Sequence, residues 1–264
     1  MTTLHATATS APATDLPEIR RIAASDLNWA LAEGWKDFTA KRGDLIFLGL
    51  LYPVICFVAV ALAFSEPLLP LLFPLVAGLS IAGPAVASGF YELARRREEG
   101  RDSSWWHFLD PLNGRGRAPL AVLTLGIAVL FVAWLGVAYA IYDATFGATA
   151  PMHASDVVGR LFTTPAGWQL IVLGNLAGGV FAVITLVVAV VSFPMVVDQP
   201  VDAVTAVRTS LKAARENPRE VFGWGVRVAG LLLLGLIPAA IGLAVVLPWL
   251  GYSTWHLYTR LVVR

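Results

Sequence analysis

The amino-acid sequence predicts an all-α polytopic membrane protein. Of its 264 residues, 57% are hydrophobic and only 14% are charged, whereas a soluble domain carries roughly 25% charged residues. Apolar runs recur along the chain at the length of about 20 residues that a helix needs to cross a bilayer. Lysines and arginines collect in alternate connections between these runs. We therefore expect a membrane helical bundle of six transmembrane helices in three hairpins, with amphipathic interfacial helices preceding spans 1, 3 and 5.

The elements follow from the apolar and polar patterns in order. Residues 1–20, rich in Thr, Ala, Ser and Pro, are predicted to form a disordered cytoplasmic tail, and residues 21–264 a single membrane domain. Within it we expect an amphipathic helix at 26–42, spans at about 45–64, 67–90, 118–142, 168–193, 221–239 and 241–262, and an amphipathic helix at 202–217. The run from 221 to 263 is too long for one span, and Gly235, Pro238 and Gly242 mark a break within it.

The basic residues decide between six spans and five. Residues 1–44 hold five lysines and arginines, residues 91–117 hold six and residues 198–220 hold four, whereas the opposite connections hold only Arg160. Short loops rich in lysine and arginine stay on the cytoplasmic side of a membrane. This alternation predicts an even number of spans, with both termini in the cytoplasm.

Two predicted cytoplasmic segments, residues 26–44 and 202–220, resemble each other at an offset of 176. Each opens near a residue that caps helices, carries an apolar stripe at helical spacing and stops at a helix breaker. Residues 104–112 (SWWHFLDPL) form a shorter relative before the third span. The sequence thus predicts three units, each a surface helix followed by two spans.

These surface segments supply the candidate docking residues. A helix with basic residues on one face and Trp, Phe or Leu on the other can lie at the bilayer interface. Two interpretations stay open: the segments only anchor the bundle, or they dock a partner or anionic lipid. The candidates are Trp35, Lys36, Arg95, Arg96, Arg97, Trp105, Trp106 and Lys212.

Three polar or charged residues inside predicted spans are candidate sites. Asn175 lies within the GxxxG pattern of Gly174 and Gly178, which indicates a close helix contact with the amide bonded across it. Arg227 either extends toward the headgroups or pairs with Asp198, Glu220 or Asp44. His256 is expected to be a packed or interfacial histidine near Trp255 and Tyr258, with haem ligation as the alternative.

The sequence carries no pattern typical of catalysis or metal binding. It has four histidines and one cysteine, Cys56, without a CxxC or HExxH motif, and no acidic residue falls inside a predicted span. Its net charge of +1 gives no general attraction to nucleic acid. We expect no enzyme activity, no cofactor and no nucleic-acid partner. The expected partners are membrane lipids, with a membrane-protein partner or a homo-oligomer as open alternatives.

Three stretches resemble a family of bacterial six-span integral membrane proteins that is labelled only as a domain of unknown function. They are GWKDFTAKRGD with the following LLYPV, GFYELARRREEG at residues 89–100, and FPMVVDQPVDAVTAVRTSLKAARENP at residues 193–218. The resemblance implies a multi-pass protein of the bacterial inner membrane. An automatic label links some relatives to cytochrome oxidase, but the histidines of this chain do not support a haem–copper core.

The function expected from the sequence is a non-catalytic accessory or scaffold component of a membrane assembly, such as a respiratory one. It would hold partners or lipid through its basic interfacial helices. The alternative is a channel or facilitator for a small neutral solute, passing near Asn175, Pro194 and Pro238.

Overall fold

The computed structural model describes residues 16–40, 54, 72–114, 116–147, 154–238 and 241–264. These residues form helices and their connections, without a named strand, which confirms the all-α prediction. The elements are α1 (Ala24–Ala40), α2 (Leu72–Glu98), the 3₁₀ helix η1 (Trp105–Leu112), α3 (Arg117–Phe146), α4 (Ala154–Thr163), α5 (Pro165–Asp198), α6 (Ala203–Glu216), α7 (Pro218–Leu236) and α8 (Leu243–Leu261).

Two of the described helices, α3 and α5, are long and apolar enough to cross a membrane. They have 30 and 34 residues, or about 45 and 51 Å at 1.5 Å per residue, against a hydrocarbon core of about 30 Å. They contain the predicted spans at 118–142 and 168–193. The predicted span at 45–64 lies outside the described residues apart from Val54, and α2 begins at Leu72. The count of six therefore stays a prediction.

Local sequence explains where several helices begin. The Thr164 hydroxyl accepts a hydrogen bond from the Gly167 N–H at 3.1 Å, and Pro165 occupies the first helical position of α5. The Asp202 carboxylate accepts from the Thr205 N–H at 2.8 Å and starts α6. The segment before the third span forms a 3₁₀ helix, with Pro111 inside it, rather than an α-helix.

The helix contacts follow the order of the three predicted units. Helices α2, α5 and α8 pack against one another at the centre, and each contains one internal proline, Pro84, Pro194 or Pro248. Helix α3 packs on α5 and α2, and α7 packs on α8 and α5. Each predicted surface segment packs mainly on the central helix of the preceding unit: η1 on α2, α6 on α5 and α1 on α8. The described helices thus form a cyclic arrangement.

Helices α1 and α6 each bury one stripe of mostly small and apolar residues within the bundle. On α1, Leu27, Ala30 and Phe38 are buried, and Gly34 lies so close to Ser253 of α8 that a Cβ would come within 2.1 Å of its hydroxyl oxygen. On α6, Ala206 and Ala213 are fully buried. Small residues along both stripes permit this close packing, so these faces meet protein rather than the bilayer interface.

Candidate functional site

The most polar part of the described structure lies where the C-terminal ends of α2, α5 and α8 meet. We call this region the polar layer. It contains Glu92, Glu98, Asp198, Trp255, Tyr258 and Arg264, together with the arginines of the GFYELARRREEG stretch. The surface segments η1 and α1 contact it from outside.

Glu92 is the buried acid of the polar layer, with a side chain only 4% exposed. Its carboxylate accepts hydrogen bonds from Arg95 Nη2 and from Arg96 Nε, each at 2.7 Å. Arg101 Nη2 lies 3.8 Å away. A buried carboxylate is costly unless it is paired and hydrogen-bonded, and the arginines one turn further along α2 meet that need.

A cavity of about 510 Å³ opens beside Glu92. Its walls come from α2, η1, the start of α3 and the end of α5, and they include Arg95, Arg96, Arg101, Asp110 and Asp198. Arg96 pairs with Asp110 as well as with Glu92. The cavity is therefore lined by groups of both charge signs, most of which already pair with charged groups of the chain.

A second cluster joins the three central helices. Tyr258 of α8 donates a hydrogen bond to Asp198 of α5 at 2.8 Å, and Trp255 of α8 donates to Glu98 of α2 at 3.0 Å. Arg264 pairs with Glu98 and lies 3.7 Å from Asp198. Burial alone would raise the pKa of Glu98, but the hydrogen bonds from Arg264 and Trp255 outweigh it and hold that pKa below its ordinary value.

His256 meets a carboxylate that the sequence did not indicate. Its Nε2 lies 2.7 Å from Asp37 Oδ2, and the other oxygen of Asp37 forms an ion pair with Arg97 Nε at 2.7 Å. Trp29 contacts the imidazole edge-to-face at 5.6 Å. This cluster ties α1, α2 and α8 together. Across the described ranges, no group of three or more His, Cys, Asp or Glu side chains could hold a metal.

The predicted docking cations are mostly engaged within the chain. Arg95 and Arg96 pair with Glu92, and Arg97 pairs with Asp37. A glutamate three or four residues before an arginine pairs readily on a helix, so the spacing from Glu92 was a signal for this role. The Lys212 ammonium donates to the Pro17 carbonyl at 3.2 Å. Lys36 pairs with Glu33 on the surface.

The three tryptophans predicted to dock a partner, Trp35, Trp105 and Trp106, differ in how far they are exposed. Trp35 is half-exposed and packs edge-to-face on Trp249 at 5.0 Å. Trp105 and Trp106 stack at 4.1 Å. Trp106, Leu109 and Leu112 are 62%, 56% and 52% exposed, and we call these three side chains the η1 patch.

The predicted contact at Asn175 does not form within the chain. Gly178 faces Trp134 of α3, where a Cβ would come within 3.2 Å of the indole, but no atom lies within 4 Å of a Cβ on Gly174. Asn175 is exposed, and its Nδ2 donates to the Ile171 carbonyl of its own helix at 2.7 Å. The amide therefore lies on the outward face of α5, and the expected bond across a helix contact is not made among the described residues.

Arg227 is half-buried and reaches α1 rather than an acid. Its guanidinium donates to the Gly223 carbonyl at 3.0 Å and to Asn28 Oδ1 at 3.3 Å. No ion pair with Asp198 or Glu220 forms in the described structure, and Asp44 lies outside the described residues. An ion pair of Arg227 was expected to link two units. The hydrogen bond from Arg227 to the side-chain amide of Asn28 makes that link instead.

The residues of the alternative solute path are not brought together. Asn175 lies on the outer surface, Pro194 is buried in the core and Pro238 is exposed near the α7–α8 turn. A facilitator function stays a prediction.

A comparison with protein families adds a classification to this geometry. Residues 72–198, which run from the start of α2 to the end of α5, match the model of a family described as "Predicted integral membrane protein (DUF2189)". This segment is similar to that family. The match includes Glu92, its arginine partners and both apolar helices, so the membrane assignment is confirmed by the family as well as by composition. No curated protein and no solved structure matches the chain.

Proposed function

We propose that the chain is a non-catalytic accessory or scaffold component of a membrane assembly and that a membrane-protein partner docks on the η1 patch. One observation carries the proposal. The charged groups of the polar layer pair with one another, whereas the adjacent η1 patch exposes three large apolar side chains. Contiguous apolar surface of this kind marks interaction sites, and tryptophan is enriched among the residues that dominate binding energy.

The position of the η1 patch favours a partner within the membrane. The patch precedes α3 in the chain. The outward face of α3 carries exposed apolar residues, the first of which is Val122 at 59% exposure. A partner helix packed on that face could extend onto the η1 patch. The other two surface segments, α1 and α6, each bury one face in the bundle.

The charge of η1 favours protein over anionic lipid. Interfacial helices that bind anionic lipid carry lysine and arginine on their polar face. The WWHFLDPL sequence of η1 has neither residue, and its acid is Asp110. Asp110 pairs with His107 and Arg96, which leaves no strong attraction between η1 itself and an anionic leaflet.

Photo-crosslinking in intact membranes tests the proposal. A photoreactive amino acid replaces Trp106 in one variant and Val204 in the control; Val204 is 66% exposed on α6. We expect one protein to be trapped from position 106 and not from position 204. That protein should co-purify in mild detergent with the wild type and be lost from the W106S/L109S/L112S variant. Labelling of lipid alone at position 106, or equal trapping at both positions, would contradict the proposal.

A further inference from the structure

The outward face of α5 carries a polar group within an apolar stripe. Val172, Leu176 and Val183 are 53%, 64% and 42% exposed on this face. Asn175 lies among them, and Gly179 follows one turn later with no atom within 4 Å of a Cβ position. Asn175 is seven residues past Trp168, or about 10 Å along the helix. The amide therefore lies well inside the apolar stretch.

Lipid cannot satisfy this amide. One N–H of Asn175 bonds to the Ile171 carbonyl, and no other hydrogen bond of this side chain forms among the described residues. The remaining N–H and the side-chain oxygen therefore face the hydrocarbon, where an unpaired polar group costs free energy. Another protein surface can supply the missing partners. Asparagine associates transmembrane helices in this way, and small residues let their backbones approach.

We propose that a second copy of this chain docks on the stripe formed by Val172, Asn175, Leu176, Gly179 and Val183. The amide carries both a donor and an acceptor, so two copies related by a twofold axis satisfy each other at Asn175. Twofold interfaces bring the same patch of both subunits together. The stripe has no charge that would require a partner of opposite charge. Gly179, one turn from the amide, removes the side chain that would hold the second backbone away.

This dimer is independent of the proposed scaffold function because it uses α5 rather than the η1 patch. If no partner docks on the η1 patch, the dimer experiment can still be interpreted. If α5 does not form a dimer, the photo-crosslinking experiment can still be interpreted.

Cysteine crosslinking tests which faces meet. With the single native cysteine replaced (C56A), cysteines are introduced one at a time at Val172 and Leu176. Matched controls are Val129 on α3 and Leu233 on α7, which are 62% and 64% exposed. Mild oxidation in native membranes should give a disulfide-linked dimer from position 172 or 176 and none from 129 or 233, because a disulfide needs Cα atoms closer than about 7 Å.

Dimerisation of the purified protein tests the amide itself. Asn175→Leu should weaken self-association in mild detergent by roughly threefold to thirtyfold, the range that membrane hydrogen bonds contribute, whereas Asn175→Gln should keep it close to wild type. Both variants change an exposed side chain, so the thermal unfolding midpoint of the monomer serves as a folding control. A monomer at every concentration, equal crosslinking at the control positions, or a different protein trapped on the stripe would overturn the proposal.

Discussion

Glu98 at the end of α2 joins α2 to α8 and to Arg264 within the polar layer. It accepts from Trp255 of α8 and pairs with Arg264 near the end of the chain. Those hydrogen bonds stabilise the carboxylate more than its partial burial destabilises it, and its pKa in the folded protein is lowered. The folded state therefore binds a proton at Glu98 less readily than the unfolded chain does.

This shift predicts how stability depends on pH. A carboxyl with a lowered folded-state pKa stabilises the fold above its unfolded pKa and loses that contribution as pH falls through the folded value. Here the unfolded value is about 4.5. We expect Glu98→Gln to lower the thermal unfolding midpoint at neutral pH and to reduce its decline in acid below about pH 4.5. Glu216→Gln, at an exposed position on α6, is the control. An acid decline of equal size in wild type and E98Q would contradict this assignment.

Glu92 should contribute more to stability than its exposed neighbour Glu99. Removing one partner of a buried ion pair typically costs about 3–5 kcal/mol. Arg95 and Arg96 are 23% and 17% exposed, so water screens part of the loss. We expect Glu92→Gln to cost roughly 2–3 kcal/mol and Glu99→Gln, at 41% exposure, under about 1 kcal/mol. Denaturant unfolding in mixed micelles measures both. Equal costs would show that Glu92 does not organise the arginines.

At the scale of elements, Ser210 fastens α6 to α5. Its hydroxyl donates to the Val187 carbonyl at 2.7 Å and accepts from the Val191 N–H at 3.2 Å. Those backbone groups lie at i and i+4 of α5, so the serine is inserted beside the hydrogen-bond ladder of its neighbour. Ser210 is fully buried, and the resulting contact holds α6 against the bundle.

We predict that Ser210→Ala destabilises the protein by about 1 kcal/mol, the usual net worth of a buried hydrogen bond. The buried Ser88 is a matched control because its hydroxyl donates only to the Ala85 carbonyl of its own helix, at 2.7 Å. Ser88→Ala should cost less, about 0.5 kcal/mol or under. Hydrogen exchange should also report faster opening of α6 in S210A alone. Equal exchange in both variants would exclude the fastening role.

The sequence predicted elements better than it predicted their partners. Apolar length located α3 and α5, and Asp202 located the start of α6, because these signals are local. The pairs Asp37–His256 and Ser210–Val187 join residues far apart in sequence, and no periodicity reports such contacts. The GxxxG pattern around Asn175 predicted a close helix contact, but such a pattern does not specify which helix approaches.

At the scale of the whole molecule, the two ends of the described chain pair directly. The Arg20 N–H donates to the Leu261 carbonyl at 2.8 Å, and the Val263 N–H donates to the Glu18 carbonyl at 3.0 Å. The side-chain amide of Asn217 holds the same segment, accepting from the Ile22 N–H at 2.9 Å and donating to the Arg20 carbonyl at 3.1 Å. The predicted even number of crossings would place two segments bonded in this way on the same side of a membrane.

Reporter fusions test this arrangement and the charge rule separately. We expect a fluorescent protein fused to either end to be active in the cytoplasm of a bacterial host, and alkaline phosphatase at those positions to be inactive. A fusion after Gly147, between α3 and α4, should give the opposite result, because Arg160 is the only basic residue predicted on that side. Ends on opposite sides would contradict the pairing of residues 18–20 with 261–263. If both ends lie outside the cytoplasm, the pairing of the ends is preserved and the charge rule is refuted. The contact between the ends requires that they share a side of the membrane, but it does not specify which side.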